Sequence, residues 1–360
     1  MSPQFKETEV ADRIEAMRRR PPRFRDERIT MAHGAGGKAS RALVEGLIVP
    51  LLANPALEQL SDAGLVTVGG VRLALSTDAF VVRPLRFPGG SIGELAVNGT
   101  VNDLAVSGAR PIALSAALVL EEGLTGEVLE AEVTAMADAA KAAQVSVITG
   151  DTKVVERGKC DSMYIVTTGI GLIAADVALA PQLVRPGDKV LVSGTIGDHG
   201  IAILLARGEL DIDADVISDT RPLWDLVDAL MSACGDGLHC MRDATRGGLA
   251  TVLNEIALAA EVGVVLEESR IPMLPEVIGA GEILGIDPLY VANEGKLVAF
   301  VAPDYADAAL AAMRKLPSGA EAAIVGEVRD EPPGRVLGRT TVGGHRLIDM
   351  LVGDPLPRIC

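Results

Sequence analysis

FPGGSIGELAVNGTVNDLAVSGARP, residues 87–111, decides how the rest of the chain reads. Gly89 and Gly90 close a loop, and Ser91 stands where a side-chain oxygen caps a helix over Ile92–Ser107. Asn98 and Asn102 lie four residues apart and share a face, with Asp103 beside them. Two carboxamides and a carboxylate in a helix otherwise made of Ala, Val, Leu and Gly are costly to bury without partners. Either a polar ligand or a structural hydrogen-bond network must answer them.

Upstream, the Gly-rich loop His33-Gly34-Ala35-Gly36-Gly37-Lys38 leads into a helix over Ala39–Leu52, with Leu43, Leu47 and Leu51 at helical spacing. Val71–Ser76 alternates as a strand. Downstream, Leu114–Leu120 is a strand, Leu124–Ala143 a helix, and Val145–Thr149 and Met163–Thr168 further strands. The turn-rich Gln182–Asp188 marks a domain boundary. A strand over Lys189–Val192 then runs into the glycine-spaced turn Gly194–Gly200 and a helix to Arg207. Leu249, Val252, Leu253, Ile256, Ala257 and Ala260 form a helical stripe, and Leu297–Val301 reads as a strand. The expected domains are 31–182 and 183–346. They are flanked by a charged extension, 1–30, with a helical start at Glu9–Arg20, and by a flexible tail, 347–360, ending at Cys360.

Composition excludes several classes. The chain has 360 residues, a net charge of −16 and only 2% aromatics. The body of the chain therefore lacks the clustered base that a duplex displaces counterions with, outside Arg18–Arg23 of the extension, and the chain lacks the aromatic platforms that stack single-stranded bases, so no nucleic-acid partner is expected. No apolar run reaches the length of a membrane span, and Met1–Arg13 has no apolar signal core. The expectation is a cytoplasmic protein without a membrane partner. Cys160, Cys234, Cys240 and Cys360 form no CxxC pair, which argues against a structural zinc site. The first three read as small core residues, whereas a thiol at the last position does not.

The chemistry-bearing residues are scattered. Asp78 follows a strand, Asp103 lies on the Asn-bearing helix, Asp151 follows Ile148-Thr149-Gly150, and Asp243 sits in Arg242-Asp243-Ala244-Thr245-Arg246-Gly247-Gly248. Each alone reads as a cap or turn residue; together they suit Mg²⁺, which takes hard oxygen ligands. Gly247 and Gly248 precede a helix N-terminus, where free N–H groups favour phosphate, and His33–Lys38 offers a similar backbone nest plus a cation. The Walker pattern is absent, because Gly37-Lys38 is followed by Ala39. Lys153 and Glu294 are ordinary surface residues in isolation, or a cation and a base able to take a proton.

Taken together these stretches resemble the superfamily of aminoimidazole ribonucleotide synthetase, selenophosphate synthetase and thiamine-monophosphate kinase. Within it, residues 87–111 and the ending Pro357-Arg358-Ile359-Cys360 are most similar to the hydrogenase-maturation carbamoyl dehydratases. The resemblance covers about residue 30 to 360. It implies an α+β, two-domain fold, in which an N-terminal α/β domain forms a barrel across a homodimer and an α+β domain follows, with ATP in the cleft between. Asp78, Asp103 and Asp243 match the superfamily's Mg²⁺ acids. The phosphate-side and nucleotide-covering positions match Asp151 and the loop His33, Gly34, Gly36, Gly37 and Lys38, with Asn98, Asn102, Thr245 and Gly247 also expected to bind nucleotide. Lys153 and Glu294 match a catalytic pair, and Cys360 the thiol that carries the reacting group. A carbamoyltransferase that loads Cys360 and iron-bearing scaffold proteins that accept the cyano group are the implied partners. The chain lacks the reactive Cys that precedes the Gly-rich loop in selenophosphate synthetases. A small-molecule ATP enzyme of the superfamily and a non-catalytic nucleotide-binding subunit remain the other readings.

Overall fold

The computed structural model describes residues 22–208, 214–353 and 360. Most of the extension, including Glu9–Arg20, and residues 354–359 of the tail lie outside the described residues. Strands in chain order are β1 (Gly64–Val68), β2 (Val71–Phe80), β3 (Arg86–Phe87), β4 (Gly90–Ser91), β5 (Ala109–Glu121), β6 (Ser146–Val155) and β7 (Met163–Ile173) in the first half. The second half holds β8 (Lys189–Val192), β9 (Leu238–Asp243), β10 (Gly263–Glu267), β11 (Leu297–Val301), β12 (Ala323–Arg329), β13 (Arg335–Arg339) and β14 (His345–Ile348).

The first half builds a mixed sheet in the order β1-β2-β7-β5-β6, antiparallel except where β5 runs parallel to β6. The helices Ile92–Val106 and Gly126–Ala142 cover one face. The other face is bare: Val66, Leu75 and Ile148 are all exposed, and the edge strand β6 is exposed along nearly its whole length.

The helix Ile92–Val106 explains its own composition. It packs on β2, β5 and β7 and also on β9 and the helix Trp224–Cys234, so only Glu94 and Asp103 escape burial. A helix enclosed on all sides must be apolar on all sides. Ser91 does occupy the N-cap position, with extended backbone, but its hydroxyl makes no capping bond. The free N–H groups are satisfied otherwise. Ile92 donates to the Leu85 carbonyl at 2.8 Å, and Gly93 donates to Glu132 Oε2 at 3.2 Å. Glu132 is fully buried and its charge is met by Arg86 at 2.7 Å. A carboxylate at a helix N-terminus also faces the positive end of the dipole.

The second sheet runs β14-β13-β10-β12-β8-β11-β9. Leu297–Val301 is buried at every position because both faces are covered. Val298 and Phe300 meet the helix Gly248–Ala260, while Leu297, Ala299 and Val301 meet the helices Trp224–Cys234 and Ala306–Arg314. No helix among the described residues is long and apolar enough to cross a membrane.

Residues 31–52 lie against this second half. The single helix expected over Ala39–Leu52 is interrupted: Lys38–Leu43 and Val49–Leu52 are α-helical, with a π-helical segment, Val44–Ile48, between them. Lys38 ties the segment to the far end of the chain, its N–H donating to the Leu351 carbonyl at 3.0 Å and its ammonium pairing with Asp349 at 2.8 Å.

Candidate functional site

Four separate elements deliver carboxylates to one region. Asp78 is on the helix-facing side of β2, opposite Thr167 of β7. Asp103 projects from the helix Ile92–Val106 and accepts a hydrogen bond from Ser76 of β2. Asp243 ends β9 and is buried, and Glu294, also buried, lies in the loop before β11. Asp62, paired with Arg242, joins them.

These acids act on one another. Burial, then the charges of Asp243, Asp62 and Asp78, hold Asp103 well above the usual carboxylate range. Burial likewise holds Asp243 well up, with Asp62 adding and Arg242 opposing. Glu294 is raised well above its ordinary value by burial and then by Asp78, Asp219 and Asp243, with Arg246 opposing. Repulsion among buried carboxylates of this kind is what a hard divalent cation offsets, and the donors are all oxygen. Among the described residues, no group of three His, Cys, Asp or Glu is gathered closely enough to hold a metal ion.

The electrostatics give a signed expectation. A carboxyl whose folded pKa is raised keeps its proton over a pH window where the unfolded chain has lost it, so stability falls as pH rises through that window. Without divalent cations, thermal melts should show the midpoint falling as pH rises above the ordinary carboxylate range. Asp243→Asn should flatten that slope, and added Mg²⁺ should raise the midpoint most at the upper end. A midpoint indifferent to both pH and Mg²⁺ would count against a strained acid cluster.

The remaining expected residues fall into four groups. Gly36 and Gly247 shape the loops that meet beside the acids. Both adopt left-handed backbone, with φ of 77° and 75°, and a Cβ on Gly36 would lie 2.7 Å from the Arg246 carbonyl oxygen. Arg246 in turn donates to the Gly34 carbonyl at 3.1 Å and lies 3.9 Å from Asp78. Thr245 accepts from the Gly248 N–H at 2.9 Å, closing the turn that starts the helix Gly248–Ala260. His33 is buried with its ring nitrogens engaged by Thr30 and Asp26, Nε2 at 3.0 Å from Asp26.

The two asparagines differ. Asn102 is answered by a structural network: Nδ2 donates to the carbonyls of Arg221 and Glu294, and Oδ1 accepts from Leu223 N–H. Asn98 donates to Thr220, but its buried Oδ1 has no hydrogen-bond partner among the described residues. It is the asparagine with capacity left for a ligand.

Lys153 and Asp151 stand apart. They form an exposed ion pair at 2.6 Å on β6. Asp78 shares a face with Thr167, Ala116 and Gly150, which lie opposite one another across the sheet. Asp151, one residue on, therefore points to the bare outer face, and Lys153 with it. One chain does not bring Lys153 and Glu294 together.

Cys360 lies at the acids. Its carbonyl oxygen accepts from the Val81 N–H at 3.2 Å, three residues after Asp78. Arg246 is held above its ordinary range chiefly by the negative charge at Cys360, with Asp78, Glu294 and Asp103 adding. A cavity of about 410 Å³ opens beside Gly36 and Gly37 and is lined by Ser40, Arg41, Arg242 and Met350. A larger one, about 830 Å³, is lined by Arg86, Leu124, Glu132 and Arg157 and contains none of the acids.

The fold and the sequence are shared with known proteins. The models of the AIR synthase related protein match at residues 60–173 for the N-terminal domain and 185–338 for the C-terminal domain. The carbamoyl dehydratase HypE of Rhodobacter capsulatus is 52% identical over 340 residues, spanning 94% of this chain and 99% of that protein. The chain belongs to the HypE family. The HypE of Escherichia coli K12 is 45% identical over 337 residues, covering 92% of this chain and 99% of its own. Among solved structures, HypE in a HypE–HypF complex superposes with a TM-score of 0.82 at 44% identity, covering 86% of this chain and all of that one. HypE in complex with ATP superposes with a TM-score of 0.78 at 46% identity, covering 92% and 100%. A ThiL complex with AMPPCP, at 20% identity and a TM-score of 0.64, shares the fold.

Asp62, Asp219, Arg246 and Lys296 belong to the site or its support and were not singled out from the sequence. Arg246 lies within the glycine-ended stretch Arg242–Gly248, whereas Asp62, Asp219 and Lys296 stand in no recognisable pattern.

Proposed function

We propose that the chain catalyses ATP-dependent dehydration of a carbamoyl group carried on the Cys360 thiol. The product is a thiocyanate that supplies the cyanide ligand of a NiFe-hydrogenase iron. The observation that carries the reading is the seat of Cys360 on the Val81 N–H, beside the acids and Arg246. The HypE relatives, one of them bound to ATP, support it.

A carbamoyltransferase loads the thiol; a HypE–HypF complex supports a partner of this kind. The carbamoyl oxygen is a poor leaving group until the γ-phosphoryl of ATP is transferred to it. Glu294 accepts one N–H proton as the oxygen is phosphorylated, releases it to water, and accepts the second as phosphate departs and the carbon–nitrogen triple bond forms. Mg²⁺ held by Asp78, Asp103 and Asp243 would neutralise phosphate charge during the transfer. The loop His33–Lys38, Asn98 and the helix start at Gly247 would receive the nucleotide. The cyano group then passes to an iron-bearing scaffold protein, and sulfur serves both loading and unloading.

The bare face of the first sheet supports a homodimer. A second copy closing a barrel over Val66, Leu75 and Ile148 would remove that apolar surface from water and enclose Lys153. In that assembly Lys153 is the cation assigned to offset charge during phosphoryl transfer. Intact-mass analysis tests the function. After incubation with carbamoyl phosphate, the carbamoyltransferase and ATP, the chain should gain one carbamoyl group and then lose one water. A carbamoylated chain that never loses water with ATP and Mg²⁺ present would overturn the reading.

A further inference from the structure

Glu294 is gripped through its backbone from two sides. Its carbonyl accepts from Asn102 Nδ2 at 3.2 Å, and its N–H donates to Asp219 Oδ1 at 3.0 Å. Asp219 is not a lone acid. Its other oxygen lies 3.2 Å from the Lys296 ammonium, which also reaches Asp198 at 3.4 Å. Thr195 donates its hydroxyl to the same Asp198 oxygen. The three ionisable side chains are sealed, at 1% exposure for Asp219, 6% for Asp198 and 7% for Lys296. The residues beside Asp219 fasten its loop further, since Ser218 bonds His199 and Thr220 accepts from Asn98.

Two carboxylates around one ammonium in a sealed site form a poor device for stability. Desolvation of the ions consumes most of the Coulombic gain, and apolar residues of similar volume would serve as well. What such a set supplies is a fixed position for its members. Here the fixed member nearest the chemistry is Asp219, and the group it holds is Glu294. The chain arrangement reinforces this, because Lys296 follows Glu294 by two residues, so the counter-ion and the gripped residue lie on one short loop.

We propose that Asp219 is a positioning residue for Glu294: with Lys296 and Asp198 locking it in place, it holds the Glu294 backbone so that the carboxylate stays directed into the acid cluster. The proposal rests on the assignment of Glu294 as proton acceptor. It adds a requirement outside the groups that touch ATP, the metal acids or the carbamoyl thiol.

Two substitutions separate the hydrogen bond from the charge. Asp219→Asn and Asp219→Ala both leave Lys296 paired one-to-one with Asp198, but only Asn keeps an acceptor for the Glu294 N–H. Single-turnover dehydration of the carbamoylated full chain should fall about tenfold or more in Asp219→Ala, the scale of one lost buried hydrogen bond. KM for ATP should stay within about twofold. Asp219→Asn should retain the rate within about threefold. A wild-type rate in Asp219→Ala, an equal fall in both variants, or a loss carried by KM would overturn the proposal. Should Asp219→Ala not fold, Asp219→Leu, which fills a similar volume without an acceptor for the Glu294 N–H, takes its place; the rate should again fall with KM unchanged, and an unchanged rate overturns the proposal. Glu294→Gln is run alongside. If it turns over normally, the assignment of Glu294 has failed and takes this proposal with it. If it is inactive while Asp219→Ala is normal, the positioning role alone has failed.

Discussion

Cys360→Ala is expected to give no carbamoylated species and no ATP-driven loss of water, while still binding ATP. The reaction needs a sulfur that attacks the carbamoyl donor and later releases a cyano carbon, and Ala offers neither. The other thiols cannot substitute. Cys234 and Cys240 are buried, and burial pushes them up to about 11 and about 12, so neither is a thiolate near neutrality. Cys160 is raised by burial in the same direction. Nucleotide binding should survive, because the contact that seats Cys360 is made by its backbone carbonyl. Peptide mass analysis locates the adduct. Carbamoylation followed by dehydration elsewhere in Cys360→Ala would refute the assignment.

Glu294→Gln should lower the dehydration rate by about 10²–10⁴-fold, the usual contribution of a positioned general base. ATP affinity should change little. Glutamine preserves shape and an acceptor oxygen but cannot take a proton at neutral pH. In the metal-free chain, burial and the charges of Asp78, Asp219 and Asp243 hold Glu294 toward its protonated form. A divalent cation beside Asp78 and Asp243 would remove part of that repulsion and would leave a carboxylate able to act. Rapid-quench measurement of thiocyanate formed per loaded chain gives the rate directly. A rate within threefold of wild type would remove Glu294 from the chemistry.

The fold was legible wherever burial was one-sided or complete. Ile92–Val106, Gly248–Ala260, Lys189–Val192 and Leu297–Val301 all lie close to where their apolar patterns put them. Strands were under-read where polar residues continue them. Val71–Ser76 extends to Phe80 because Asp78 sits in the ladder, and Val145–Thr149 extends to Val155 because parallel pairing with β5, and not apolar patterning, carries Gly150–Lys153. The acids Asp78, Asp103 and Asp243 could be read from their settings beside glycines and turns. Asp219 and Lys296 could not, since their meaning comes from a contact between distant loops. Asn102 shows the limit most clearly: its partners, Arg221, Leu223 and Glu294, are all far along the chain.

The bond between Lys38 and Leu351 sets a radius of action. With the chain moored at Leu351, nine residue-to-residue steps lead from the mooring to the thiol-bearing residue, and at full extension they span at most about 30–32 Å. Any enzyme that loads Cys360, or any acceptor that unloads it, must bring its own reacting atom inside that sphere. A deeply recessed catalytic centre on a partner is therefore reachable only if the two proteins dock with their openings nearly face to face.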